Sequence, residues 1–183
     1  QGHSDDVEAV HQALSNSGYL DKYLPVIGNH DIFYSGWEFY RNRFGASHYA
    51  VDVGNSRFIA LDTADGVVGE DQIAWLETEL KKPQPDNTFI ISHYLPIIPG
   101  QRTYLRLSNQ LEAERLMKIA ATHGVRAWLG AHYHSYIQDT IDGVTYVVAG
   151  GGGGRRMQPV SSYFFVQVGV DGKQVTYTLR EVP

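Results

Sequence analysis

The stretch "PVIGNHDIF" (residues 25–33) sets Asn29, His30 and Asp31 in a row, directly behind an apolar run that stops at Gly28. Two further groups repeat the arrangement: His93 follows "TFIIS", and His132 and His134 follow "RAWLGA". Amide oxygens, imidazole nitrogens and carboxylates ligate metals or move protons, and a surface turn needs no such trio. A lone histidine at a strand end is more often a hydrogen-bonded structural residue. Three strand ends that each deliver such groups weigh instead for a site at one sheet edge.

His132 and His134 carry the most geometry. On extended backbone, residues two apart face the same way, roughly 6.5–7 Å apart. That separation suits neighbouring metal ions about 3.5–4 Å apart, each taking one imidazole nitrogen at about 2.1 Å. His93 and the Asn29 amide oxygen could then complete one ion's protein ligands. Oxygen and nitrogen donors without sulfur favour Mn, Fe, Zn or Co and disfavour copper.

Periodicity indicates what holds these groups. "SDDVEAVHQALSN" predicts a helix with Ser4 as N-cap and acids in its first turn. "YLPVIG" predicts a short buried strand, and "SGWEFYRNRFG" a helix stopped by Gly45. "SHYAVDVG" and "RFIALDT" pair as a hairpin across Asn55-Ser56, and "GEDQIAWLETELKK" spaces Ile73, Leu76 and Leu80 helically. Next come the strand "NTFIISH", the long loop "YLPIIPGQRTYLRLS", the helix "NQLEAERLMKIAATHG" and the buried strand "VRAWLGA". "HYHSYIQDTIDGVTYVVAG" predicts a hairpin turning at Asp142-Gly143, and the last two strands turn at Asp171-Gly172. This order predicts one mixed α/β domain over residues 1–183, with helices covering two stacked sheets.

The composition narrows the function. The chain has 183 residues, 43% of them hydrophobic, enough for a sizeable core. A net charge of −5 argues against nucleic acid as a partner. The absence of cysteine excludes disulfides, zinc–thiolate sites and thiol catalysis. No apolar run approaches the roughly 18 residues of a membrane segment. The expectation is a soluble protein with no targeting signal in the given sequence and its compartment open.

"GNHD", "SHYLP" and "AHYHS", in that order, resemble the third, fourth and fifth signature blocks of the calcineurin-like metallophosphoesterases. "LDTADGVVGEDQIAWLETEL" is similar to the segment this family carries between its third and fourth blocks. The resemblance implies a four-layer α-β-β-α sandwich that hydrolyses phosphate mono- or diesters of small molecules at a dinuclear metal centre. It implies that Asn29, His93 and His132 ligate one metal and His134 the other. The ions are then two divalent or trivalent cations of Mn, Fe or Zn. His30 would face the substrate phosphate as proton donor, with Asp31 orienting it, while a bridging water attacks phosphorus.

Those four ligands are neutral, whereas two divalent ions bring four positive charges. The family draws carboxylates from upstream blocks, Asp-x-His and Gly-Asp-x-x-Asp, and neither precedes "GNHD" here. The resemblance therefore implies that N-terminal strands are missing from this chain, roughly 30–45 residues by ordinary βαβ lengths. The missing N-terminal segment is then itself an expected partner. The rival expectation is a non-catalytic, metallophosphoesterase-like binding protein with an incomplete metal site. Ala131 also departs from the glycine usual in the fifth block, and "GNHD" from the "GNHE" of phosphoprotein and purple acid phosphatases.

Other features read more plainly. Gly150–Gly154 followed by Arg155-Arg156 lacks the Lys-Ser/Thr of a nucleotide P-loop. It is a connector, or a loop near the metals with an arginine reaching substrate. Tyr94, Arg102 and Tyr104 lie on the long loop and are expected to shape substrate access. His3, His11, His48 and His123 read as surface or helix-end residues, and Asp5 and Asp6 as ordinary first-turn acids.

Overall fold

The computed structural model describes residues 2–98, 100, 106–155, 157 and 162–182. Arg102, Tyr104 and Arg156 lie outside the described residues. The chain runs α1 (Ser4–Asn16), α2 (Gly36–Phe44), β1 (Tyr49–Val53), β2 (Ser56–Ala60), α3 (Glu70–Lys81) and β3 (Asn87–Ile91). It continues α4 (Gln110–Thr122), β4 (Ala127–Gly130), β5 (Tyr136–Ile141), β6 (Val144–Ala149), β7 (Tyr163–Asp171) and β8 (Gln174–Val182).

One sheet has the order β1-β2-β3-β4-β6-β5, and β7-β8 form a separate antiparallel pair. Neighbours among β2, β3, β4 and β6 are parallel, with antiparallel β1 and β5 on the edges. The continuous apolar runs of β3 and β4 suit strands covered on both faces. Register places Ile59, Ile90, Trp128 and Tyr146 side by side on one face. There they join Ile73, Leu76, Leu80, Leu116 and Ala120 of α3 and α4 in one buried cluster. Each fully buried Ile or Leu contributes roughly 1.5–3 kcal/mol to holding helix on sheet. Phe58 and Phe89 stack on the opposite face at 5.1 Å. The Asn55 and Asn87 amides donate to the Gly172 carbonyl, tying the β7–β8 turn to the start of β3.

Parallel strands point their C-terminal ends the same way, so β2, β3, β4 and β6 deliver Asp62, His93, His132 and Gly150 to one edge. Five expectations need correction. The first hairpin turns at Gly54-Asn55, one residue earlier than expected, because Val53 pairs with Ser56 and Gly54 takes φ +59°. "YLPVIG" is not a strand: residues 23–28 are irregular backbone that packs by Ile27 against Tyr40 and Ala64. Ser4 is not the N-cap of α1; His3 is, and no side chain caps that end. The last hairpin turns at Gly172-Lys173, one residue later than expected, because Asp171 pairs with Gln174 and Gly172 takes φ +57°. His132 to Ser135 are not strand either, and His132 has φ +56°.

Candidate metal centre

Asn29, His30 and Asp31 sit on a tight turn. Asp31 N–H donates to Gly28 O at 3.0 Å, and Gly28 N–H donates to the Asp31 carboxylate at 2.8 Å. The carboxylate therefore closes the turn, which leaves Asn29 half-buried and His30 exposed against the Phe33 ring. The short side chain of aspartate reaches back to its own backbone where glutamate would overshoot.

His93 and His132 are brought together by continued pairing beyond β3 and β4. Ser92 N–H donates to Leu129 O at 3.0 Å, and Ala131 N–H donates to His93 O at 3.0 Å. A buried chain fixes the same loop from below: Trp128 Nε1–H donates to Ser92 Oγ, and Ser92 O–H donates to Tyr94 O. Gly28 lies flat against His93, with an added Cβ only 2.8 Å from Nδ1. The Tyr94 ring stands 4.0 Å from the His132 ring, so this loop residue does border the cluster.

The outcome is a convergence. His93 Nε2 is 2.8 Å from Asn29 Oδ1 and 3.2 Å from His132 Nδ1. Donors 2.1 Å from one ion at right angles are about 3.0 Å apart, so one amide oxygen and two imidazole nitrogens stand at the spacing of neighbouring ligands. Extended backbone does not produce this, contrary to the expectation for His132 and His134. The left-handed turn at His132 swings its ring toward His93. His134 instead directs Nδ1 at the Arg155 carbonyl, 2.9 Å away, beside the glycine loop. Among the described residues no three His, Cys, Asp or Glu side chains group to hold an ion. The convergent set is two histidines and an amide, with no carboxylate.

Burial, then the nearby His132, His30 and His134, lowers the His93 pKa from 6.5 to about 4. Burial also lowers His132. Neutral imidazole is the form that ligates. The sign for stability follows. Between about pH 6.5 and 4 the unfolded chain protonates His93 and the folded chain does not, so stability is present above 6.5 and lost as pH falls. We expect the metal-free chain to lose up to about 3 kcal/mol across that window, read as a falling urea midpoint. His93→Gln should flatten the profile; an unchanged profile would refute the assignment.

A cavity of about 700 Å³ begins at Ile32, one residue beyond Asp31. Asp62 and Ala64 line it on either side of Thr63, whose hydroxyl accepts the Tyr94 N–H. Trp37, His48, Val67, Val68 and three more acids, Asp65, Glu70 and Asp71, complete most of its wall. The resemblance singles out the 61–80 segment that supplies all four acids, but gives none of them a place in a cavity. The fold adds that place because Asp62 ends β2 beside the end of β3. His3, His11 and His48 pack on Tyr34, Phe44 and Trp75 respectively, and His123 ends α4.

Comparison with known proteins identifies the family and the fold. The family model for calcineurin-like phosphoesterase matches residues 2–136. A probable cyclic nucleotide phosphodiesterase from Fibrobacter succinogenes is 29% identical over 105 residues, 57% of this chain and 41% of that protein. One of the same description from Rhodococcus erythropolis is 30% identical over 103 residues, 54% of this chain and 34% of that protein. The chain thus spans less than half the length of these relatives. The crystal structure of a dimetal phosphatase from Danio rerio superposes with a TM-score of 0.59 at 17% identity, covering 81% of this chain and 68% of that one. That likeness shows the mixed α/β fold of the metallophosphoesterase type. Among the described residues no helix is long and apolar enough to cross a membrane.

Proposed function

Given that the chain belongs to the calcineurin-like phosphoesterase family, we propose that it is a metal-dependent hydrolase of small phosphate esters built on a dinuclear centre. The observation that carries this reading is the meeting of Asn29 Oδ1, His93 Nε2 and His132 Nδ1 within 2.8 and 3.2 Å. These three would hold one ion of Mn, Fe or Zn and His134 a second. Such ions supply charge neutralisation for the phosphate and a water acidic enough to act as nucleophile. His30, exposed at the rim, protonates the leaving oxygen, and Asp31 holds the turn that presents it. The cavity beyond Ile32 takes the organic part of the ester. Its Asp62, Asp65, Glu70 and Asp71 repel a phosphate, which is thereby directed to the histidines. The names of the two bacterial relatives favour a diester.

The lack of a carboxylate in the cluster favours a second reading, a non-catalytic protein of this fold with an incomplete metal site. One experiment separates the two. The chain is dialysed, analysed for metal, and assayed with bis(p-nitrophenyl) phosphate before and after chelation. We expect two equivalents of metal, turnover lost on chelation and turnover restored by Mn²⁺. One equivalent or none, together with an absence of turnover that persists when the expected upstream carboxylate segment is supplied, establishes the non-catalytic reading instead.

A further inference from the structure

We propose that the glycine-rich loop after β6 is a positioning device for His134, fixing its ring and its tautomer so that Nε2 is free to ligate. The inference rests on the reading of His134 as a metal ligand. A carbonyl oxygen only accepts, so the 2.9 Å contact between His134 Nδ1 and Arg155 O requires the proton on Nδ1. In the neutral ring Nε2 then carries a lone pair. The backbone of the same turn is held at two points: Met157 N–H donates to His134 O at 2.8 Å, and Gly150 N–H donates to Ser135 O at 3.2 Å.

The glycines differ among themselves in a way a mere connector does not require. A Cβ on Gly150 would stand 2.0 Å from Tyr133 O, and one on Gly154 would stand 2.5 Å from His134 Cε1. Gly154 also has φ +66°, where a side chain is strained. Gly152 and Gly153 have nothing within 4 Å. Two glycines are thus needed where the loop touches the 133–134 turn, and two stand open between them. Partners that orient a ligating histidine in this way typically govern metal affinity by 10–100-fold.

The test uses the full chain with ¹⁵N-labelled histidine at pH 8, together with calorimetric titration with Mn²⁺ and with Zn²⁺. Wild type should show the Nδ1–H tautomer at His134. Gly154→Ala should perturb that tautomer and weaken the second Mn²⁺ event by roughly 10–100-fold, whereas Gly152→Ala should change neither. An Nε2–H tautomer in wild type overturns the proposal whether or not any variant folds. Equal losses in Gly152→Ala and Gly154→Ala also overturn it, since they reveal only a destabilised loop. Wild type that binds neither Mn²⁺ nor Zn²⁺ removes the ligand role of His134 on which the proposal rests, while the tautomer still decides whether the loop sets the ring.

Discussion

On the proposed function, we expect His132→Ala to lower kcat/KM toward a chromogenic phosphodiester by roughly 10³-fold or more, beyond the 10–100-fold usual for a residue that only orients a ligand. His132 Nδ1 stands at one corner of the triangle with His93 Nε2 and Asn29 Oδ1, and alanine leaves that corner empty. Alanine also brings a complication, because position 132 has φ +56°, a left-handed conformation that histidine, asparagine and aspartate adopt more readily than alanine. His132→Asn separates the two effects. Asparagine tolerates the left-handed region, so the backbone is kept while the donor is shortened and moved away from His93. Both variants should be inactive, His132→Asn should melt near wild type, and both should lose metal by elemental analysis. Turnover retained in either variant removes His132 from the centre.

The fate of His132 shows what periodicity could and could not reveal. "TFIIS" and "RAWLG" are runs of buried apolar residues, and their burial on both faces made β3 and β4 legible, with His93 and His132 just beyond their ends. The approach of those two rings was not legible as geometry. It depends on a φ sign change at one residue, which no hydrophobic pattern encodes, and on β3 and β4 being sheet neighbours, which is a tertiary fact. "PVIG" misled for a related reason. Its Ile27 is buried, but against Tyr40 and Ala64 and not in a ladder. Periodicity registers burial without naming the partner. The acidic cavity escaped notice although nine of its lining residues fall between Asp62 and Gln72, because the residues that enclose that stretch, Ile32, Trp37, Ser47 and His48, come from earlier in the chain. The glycine loop was seen as composition only. Which glycines matter depends on what lies 2–3 Å from each Cα, and that appears only in three dimensions.

The same logic of close approach makes Gly28→Ala the second large effect, since one methyl should disable the centre without removing any ligand. Position 28 is buried, and the new Cβ would lie 2.8 Å from His93 Nδ1 and 2.9 Å from Cε1. The ring cannot retreat easily. Its loop is pinned by the Ser92 pairing to Leu129 and by the buried Trp128–Ser92–Tyr94 chain, and its own Nε2 is engaged with Asn29 and His132. Overpacking of this kind costs typically 1–3 kcal/mol. Here part of the cost falls on the function, because either His93 rotates out of the triangle or the Asn29–Asp31 turn is pushed off it. We expect Gly28→Ala to lose about 1–3 kcal/mol of stability and most of its affinity for the ion shared by Asn29, His93 and His132. Gly45→Ala, whose Cβ would meet nothing within 4 Å, should cost stability through its φ of +86° while leaving metal content intact. Urea melts paired with elemental analysis read the two quantities separately. If Gly28→Ala binds metal as wild type does, His93 is not held where the triangle requires it. If both variants lose metal in proportion to stability, the loss reports unfolding and the packing of Gly28 on His93 carries no function.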